Sequence, residues 1–199
     1  MAVTSRVVVD PAHRTRYDAV DQRWWSFLAS CGLVAVPLPN REDAALDLVQ
    51  GLPVRGLLLT GGNDLGAYGG DAPERDRTEN AVLDHALVTG LPVVAVCRGM
   101  QLLLHRFGVR LQRVAGHVAP RQIVVVDGRH RVVNSYHQWA ATYANAPLEV
   151  WARTPDSVVK AVRHKAHPTV GVMWHPERLP GELAGPDRTL ISEQFGGRA

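Results

Sequence analysis

The chain has 199 residues, 46% of which are hydrophobic, and it carries a formal net charge of +3 with an isoelectric point near 9.2. That length suits one domain with a sizeable core and is too short for two ample ones. No run is apolar enough to cross a bilayer, the first residues lack the apolar stretch of a signal peptide, and no cluster of lysines and arginines indicates nucleic-acid binding. We expect a globular protein with no membrane or nucleic-acid partner and a small, anionic substrate.

The cysteine content sets the expected compartment. Only Cys31 and Cys97 are present, which does not suggest a disulfide framework, and no Cys/His spacing is typical of structural zinc. We therefore expect a cytoplasmic protein with reduced thiols. No feature of the sequence calls for a metal or a redox cofactor.

Predicted strands and helices alternate through the first half of the chain. Apolar β-branched runs predict strands and apolar residues at helical spacing predict helices; the strands cover 6–10, 33–39, 54–60 and 92–96, and the helices cover 21–31, 44–49, 76–88 and 98–104. This alternation predicts an α/β fold with a parallel sheet and right-handed crossovers. Ligands of such sheets bind beyond the carboxyl ends of the strands.

The second half is predicted to be richer in strands. Short strands are expected over 122–126, 131–134, 148–152, 158–162 and 170–174, followed by a closing helix over 186–195. No internal repeat, low-complexity segment or boundary interrupts the chain. We therefore expect a single domain over residues 1–199 with a central, mostly parallel sheet.

Cys97 stands between a buried strand and a helix. Ala95 and Gly99, two residues to either side, are small, as a sharp strand-to-helix turn that carries a nucleophile requires. A helix N-terminus favours a thiolate. The alternative is a buried, inert cysteine at the end of a core strand.

His175 and Glu177 follow a second predicted strand. Residues two apart in an extended segment point to the same side, so both side chains can face one site. The histidine would act as the base for Cys97 and the glutamate would orient it. The three residues form a coherent catalytic triad for acyl transfer.

Three motifs form a recognisable set: Thr60-Gly61-Gly62-Asn63-Asp64, Cys97-Arg98-Gly99-Met100-Gln101 and His175-Pro176-Glu177. Together they resemble the class I glutamine amidotransferase superfamily, and within it the γ-glutamyl peptidase-like branch. The resemblance implies a three-layer, flavodoxin-like α/β fold. It also implies cysteine-dependent hydrolysis of a linear carbon–nitrogen bond in a γ-glutamyl amide.

The same resemblance implies roles for individual residues. The backbone amides of Gly62 and Arg98 would form the oxyanion hole, since glycine permits close backbone approach and the amide after a nucleophile is the usual second donor. The residues implied in substrate binding are Asn63, Gln101, Asn134, Ser135, Tyr136 and His137. The alternatives are an ordinary turn at Gly61-Gly62, a solvent-facing Gln101 and a structural His137.

Further motifs resemble one narrow branch, the γ-glutamyl-CDP-amidate hydrolases. They are Asp21-Gln22-Arg23-Trp24, Glu74-Arg75-Asp76-Arg77-Thr78-Glu79 and Met173-Trp174-His175-Pro176-Glu177-Arg178. These enzymes release glutamate from a glutamine whose side-chain nitrogen carries cytidine diphosphate. The other product, cytidine diphosphoramidate, serves phosphoramidate modification of surface (capsular) polysaccharide.

A diphosphate leaving group needs cationic partners. Arg23 and Arg75 are the main candidates, and Tyr17 would stack on the cytosine ring. Further candidates in the same two regions are Arg14, Arg16, Arg77 and, for stacking, Trp24. The alternatives are arginines that pair with neighbouring carboxylates and a Trp24 that packs in the core.

Two departures leave the identity of the leaving group open. Lys160 stands where the superfamily usually has a glutamate, and Ser157 stands where it usually has a glycine. Other functions that fit the motifs are a γ-glutamyl-aminobutyrate hydrolase, a glutaminase subunit that delivers ammonia to a synthase partner, and a non-catalytic binding protein. The sequence does not determine the oligomeric state and is compatible with a homo-oligomer.

Overall fold

A computed structural model describes residues 1–196. The helices in that range are α1 (Arg23–Ser30), α2 (Glu42–Gly51), α3 (Pro73–Thr89), α4 (Arg98–Arg106) and α5 (Gly185–Phe195). The strands in that range are β1 (Ala2–Thr4), β2 (Arg6–Val9), β3 (Arg16–Ala19), β4 (Val36–Leu38), β5 (Leu57–Leu59), β6 (Val93–Val96), β7 (Gln112–Arg113), β8 (Val118–Val126), β9 (Arg129–Tyr136), β10 (Trp139–Ala140), β11 (Leu148–Arg153), β12 (Val159–His164) and β13 (Thr169–Val172).

A nine-stranded sheet with the order β4-β1-β5-β6-β13-β12-β11-β8-β9 forms the centre of the molecule. The first five strands of that order run parallel, and the remaining pairings are antiparallel. Taken in chain order, the parallel strands have the 2-1-3-4-5 arrangement of flavodoxin-like folds. The predicted fold class is confirmed, and its ligand crevice is expected where β1 and β5 lie side by side.

Helices cover both faces of the parallel strands. The burial of alternate residues shows this directly, since Leu57 and Leu59 of β5 pack with α2, α3 and α4, whereas Leu58 packs with α1 and α5. Strand side chains alternate between the two faces of a sheet, so one apolar run supplies both cores. Trp24 is 2% exposed and lies in the second core, which confirms the packing alternative for this residue.

The predicted first strand over 6–10 is wrong as a strand of the central sheet. The sheet strand is β1, whose residues are fully buried, and the chain leaves the sheet at Ser5. Residues 6–9 instead pair with β3 in a separate two-stranded hairpin, in which Val8 and Val9 are 37% and 39% exposed. The β-branched run predicted a strand correctly, but the short buried segment before it carried a weaker signal.

Helix α3 begins earlier than predicted. Pro73 occupies its first turn, where the absence of a backbone N–H costs nothing. Arg75 was predicted to lie in a loop, and it lies on this helix instead. Within residues 1–196 no helix is long and apolar enough to span a membrane.

Gly99 sets the distance between α4 and β5. A Cβ at Gly99 would lie 2.7 Å from the Leu59 Cβ and would overlap the Leu59 carbonyl. Overpacking of this kind costs about 1–3 kcal/mol or more.

We expect Gly99→Ala to lower the free energy of unfolding by about that amount, as measured by urea denaturation. Gly51→Ala is the matched control, because a Cβ at Gly51 meets nothing within 4 Å. Equal stability of the two variants would show that α4 does not depend on close approach at Gly99.

Candidate active site

Cys97 sits on a strained turn between β6 and α4. Its backbone has φ 53° and ψ −105°, a region that residues other than glycine rarely adopt. The turn is held by hydrogen bonds from the Cys97 N–H to the Val172 carbonyl (2.8 Å) and from the Gln101 N–H to the Cys97 carbonyl (3.0 Å). Ala95 lies within the sheet and Gly99 lies against β5. Their small size allows the close packing that a strand-to-helix turn around a nucleophile requires.

His175 is fixed by its backbone and its ring. Its N–H donates to Asn134 Oδ1 (2.7 Å), and its carbonyl accepts from Asn134 Nδ2 (2.8 Å). The ring Nδ1 lies 2.8 Å from Glu177 Oε1. The predicted pairing of His175 with Glu177 is therefore present, although Pro176–Arg178 form a 3₁₀ turn rather than the predicted extended segment.

The Cys97 and His175 side chains approach each other across Gly61. A Cβ at Gly61 would lie 2.6 Å from His175 Cε1 and 3.5 Å from Cys97 Cβ, so only glycine fits between them. Burial disfavours the charged imidazole, but the Cys97 sulfur and the Glu177 carboxylate outweigh it and raise the pKa of His175 to about 10. The geometry and charge suit a thiolate–imidazolium pair.

Residues 60–63 follow β5 and are called the oxyanion loop after their predicted role; Arg75 holds this loop from below. The guanidinium donates to the carbonyls of Thr60 (2.8 Å), Gly61 (3.2 Å) and Gly62. Because Arg75 of α3 holds these three carbonyls, the loop is fixed relative to Cys97. Gly62 has φ +88°, a backbone conformation that favours glycine.

Glu79 links the oxyanion loop to the start of α4. Its carboxylate accepts from Arg75 Nε (2.9 Å) and from the Arg98 guanidinium, which also donates to Asp76. Glu79 and both arginines are at most 1% exposed. Burial lowers the pKa of Arg75 to about 9 against the opposing effect of Asp76 and Cys97, and burial lowers the pKa of Arg98 well below its usual range.

An open cleft of about 560 Å³ leads to Cys97. Its wall contains eight of the predicted site residues, namely Gly62, Asn63, Cys97, Arg98, Gln101, Tyr136, His137 and His175. The Arg98 N–H lies in the first turn of α4, where helical amides have no acceptor within the helix. The cleft thus brings the predicted oxyanion donors together with Cys97 and His175.

Three residues predicted to bind the substrate do not line the cleft. Arg75 is 0% exposed, and its N–H groups donate to the oxyanion loop and to Glu79. The prediction that it binds the leaving group is therefore wrong. Tyr17 and Arg23 are exposed and do not line the cleft. Tyr17 lies on the hairpin strand opposite Val8, and Arg23 faces solvent beside Asp21.

Four predicted binding residues are engaged with the protein itself. Asn134 uses both side-chain atoms on His175, and the Asn63 amide bonds both backbone groups of Val7 (2.9 and 3.0 Å). Ser135 is fully buried and donates to the His117 carbonyl (2.7 Å). Gln101 lines the cleft while its Nε2 donates to the Trp139 carbonyl (2.8 Å).

Two cleft arginines were missed by the sequence analysis. Arg6 is exposed, and Arg178 lies 3.1 Å from Asp21 and 3.3 Å from Glu177. Both border the cleft and the adjoining niche beside His175. Arg178 directly follows the His-Pro-Glu motif, a proximity signal that could have found it, whereas the hairpin that presents Arg6 was not predicted.

Histidine, cysteine and acidic side chains form no group of three suited to a metal ion within residues 1–196. Electrostatics in the site come from side chains and backbone amides. The charged residues on the cleft wall are Arg6, Arg98 and Arg178 with Asp64 and His175.

Comparisons with known proteins agree with this architecture. The family model described as Peptidase C26 matches residues 1–177. The gamma-glutamyl-CDP-amidate hydrolase of Campylobacter jejuni is 24% identical over 91% of both chains, and a gamma-glutamyl-gamma-aminobutyrate hydrolase of Escherichia coli is 28% identical over 83% of this chain and 81% of its own. A crystal structure assigned as a GMP synthase component from Thermoplasma acidophilum has a TM-score of 0.70 at 18% identity, over 98% of this chain and 92% of its own, which shows the shared fold.

The charge on Glu177 raises the pKa of His175. Glu177→Gln removes that charge, so we expect the His175 pKa to fall from about 10 by about a unit or more. Titration of the labelled imidazole by NMR measures the change. Glu182→Gln, at an exposed glutamate, is the control, and an unchanged titration in Glu177→Gln would contradict the pairing.

Loss of the hydrogen bonds from Arg75 to the oxyanion loop should weaken oxyanion stabilisation more than it lowers the reactivity of the Cys97 thiol. For Arg75→Met we expect acylation of Cys97 by p-nitrophenyl acetate to fall about 10²–10³-fold, the cost of losing an oxyanion donor. Alkylation by iodoacetamide, which forms no oxyanion, should fall less than about tenfold.

Arg77→Met, at an exposed position on the same helix, is the control. Arg75→Lys keeps a cation beside Glu79 but removes the guanidinium donors to the loop carbonyls. It therefore tests the effect on the loop if Arg75→Met does not fold. Equal losses of acylation and alkylation in both Arg75 variants would contradict a specific effect on the oxyanion loop.

Proposed function

Because the chain belongs to the Peptidase C26 family, we propose that it is a cysteine-dependent hydrolase of γ-glutamyl amides that acts on γ-glutamyl-CDP-amidate. The products would be glutamate and cytidine diphosphoramidate, the latter for phosphoramidate modification of surface polysaccharide. The observation that carries this proposal is the pair Arg6 and Arg178, which border the cleft on the side of His175. The Campylobacter jejuni relative, which matches over most of both chains, supports the same substrate.

In the proposed reaction the Cys97 thiolate attacks the γ-carbonyl carbon. The carbonyl oxygen becomes an oxyanion beside the backbone amides of Gly62 and Arg98. His175 gives its proton to the leaving nitrogen, the carbon–nitrogen bond breaks, and a glutamyl thioester remains on Cys97. Water then adds to the thioester with His175 as the base, and glutamate leaves as the thiolate is restored.

The proton donor fixes the side on which the leaving group lies. His175 must reach the leaving nitrogen, so the leaving group lies beside His175 and extends toward Arg178 and Arg6. No ion pair engages Arg6 within residues 1–196, whereas Arg178 is shared with Asp21 and Glu177. A diphosphate offers one phosphate group to each arginine.

The main alternative substrate is γ-glutamyl-γ-aminobutyrate, supported by the Escherichia coli relative. Its leaving group carries a single carboxylate, which needs only one of the two arginines. The cleft volume of about 560 Å³ lies within the range of about 300–1,000 Å³ typical of sites for sizeable ligands. That volume favours the nucleotide-bearing substrate over a short amino acid.

We further propose that residues 1–199 act as one domain in a reducing, cytoplasmic compartment. Cys31 and Cys97 are both free, and the proposed chemistry requires a free thiol at Cys97. A small-molecule γ-glutamyl substrate would be the sole partner that this chemistry needs.

The test of substrate identity is glutamate release from γ-glutamyl-CDP-amidate, γ-glutamyl-γ-aminobutyrate and glutamine, each with a Cys97→Ala control. We expect a strong preference for the CDP-amidate and no turnover by Cys97→Ala. Comparable or better turnover of either competitor would contradict the proposed leaving group. Turnover retained by Cys97→Ala would contradict the mechanism.

Removal of the Arg6 charge should weaken binding of the diphosphate specifically. Arg6→Met keeps the aliphatic stem over Gly62, and loss of a charge-assisted contact of about 1.4 kcal/mol or more raises KM at least about tenfold. Hydrolysis of γ-glutamyl-p-nitroanilide, which has a neutral leaving group, should change less than about twofold. Arg23→Met is the matched control outside the cleft, and equal effects of Arg6→Met on both substrates would reject a phosphate role.

A further inference from the structure

Lys160 is a buried ammonium without a carboxylate partner. It lies on β12, is 1% exposed, and its Nζ is 2.9 Å from Ser135 Oγ and 2.7 Å from His137 Nε2. It takes part in no ion pair within residues 1–196, although the arginines buried beside the cleft are paired. Burial of a charge without a carboxylate partner costs several kcal/mol, and the hydrogen bonds to Ser135 and His137 offset part of that cost.

The ammonium lies directly behind one wall of the cleft. Tyr136 and His137 form this wall, and Ser135, which Lys160 also contacts, immediately precedes them. Burial lowers the pKa of Lys160 to about 7, while the charges of Cys97 and Asp156 oppose that change.

Hydrogen bonding orients the groups on this wall. His137 is neutral, because burial and the adjacent Lys160 charge lower its pKa to about 2, so its Nε2 accepts from the ammonium. The Ser135 hydroxyl accepts from Lys160 and donates to the His117 carbonyl. In its protonated form, Lys160 thus fixes the segment that ends β9 and presents a positive charge behind it.

The acyl chain of a substrate would extend along the His137 part of this wall, because Tyr136 lies beside His175 and Arg178. Since His175 gives its proton to the leaving nitrogen, the leaving group takes the side with Arg6 and Arg178. The acyl chain takes the remaining side, beside Gln101 and His137. In a γ-glutamyl group that chain ends in an α-amino and an α-carboxylate group.

We infer that Lys160 is a specificity-determining positioning residue that makes this wall selective for an acyl chain ending in a carboxylate. It acts through Ser135 and His137, and its charge attracts the carboxylate through the wall. The inference rests on the proposed γ-glutamyl hydrolysis for the identity of the acyl group. Its test therefore includes a measurement that does not need turnover.

The first measurement compares γ-glutamyl-p-nitroanilide with its α-carboxamide analogue in wild type and Lys160→Gln. Glutamine keeps N–H donors near Ser135 and His137 but removes the charge. We expect kcat/KM for the carboxylate substrate to fall at least tenfold, mainly through KM, and kcat/KM for the carboxamide to change less than threefold. The matched control is Lys165→Gln, at an exposed lysine in the turn after β12.

The second measurement is labelling of Cys97, followed by intact mass, with a chloroketone analogue of glutamine, its α-carboxamide and iodoacetamide. Lys160→Gln should slow labelling by the carboxylate form at least tenfold and leave the other two reagents within threefold. Equal slowing of all three reagents, or of none, would overturn the role of Lys160. A wild type that shows the labelling preference but hydrolyses no γ-glutamyl amide would refute the proposed function and leave the inference about Lys160 standing.

Discussion

The buried contact between Glu79 and two arginines joins the parts of the candidate site that come from distant segments. One arginine, Arg75, holds the oxyanion loop after β5, and the other, Arg98, begins the helix that follows Cys97. Burial makes the removal of any one partner costly, because an uncompensated charge would remain in the interior. Glu79 therefore links the position of the oxyanion loop to the start of the helix that follows the strained Cys97 turn.

Electrostatics divide the site into an inner and an outer region. Inside, the cations Arg75 and Arg98 are paired with Glu79, and His175 is paired with Glu177. This pairing places fixed charges around the reacting atoms, where the low dielectric makes them effective and no reorganisation is needed during reaction. In the outer region, Arg6 and Arg178 border an open cleft. Water and salt therefore weaken their interaction with a substrate.

The structure brings together the predicted Cys97, His175 and Glu177, whereas several predicted contacts around them differ. Cys97 and His175 could be found because strand ends and turn residues have strong local patterns. The role of Arg75 could not, since burial of an arginine depends on which helix it joins and on the backbone carbonyls it meets. Arg6 was missed for a related reason: an exposed β-branched run resembles a buried strand, and only the pairing with residues 16–19 shows a hairpin.

That hairpin is hydrogen-bonded to the oxyanion loop. Val7, next to Arg6, exchanges two hydrogen bonds with the Asn63 amide, and Asn63 Oδ1 also accepts from Arg75 (3.1 Å). A substrate group bound to Arg6, as proposed, would therefore act on the same short segment that is proposed to hold the oxyanion. Binding energy from a remote part of a substrate accelerates a reaction only when it is expressed in the transition state. In the proposed reaction, the hydrogen bonds of Asn63 would couple the hairpin that carries Arg6 to the loop at residues 60–63.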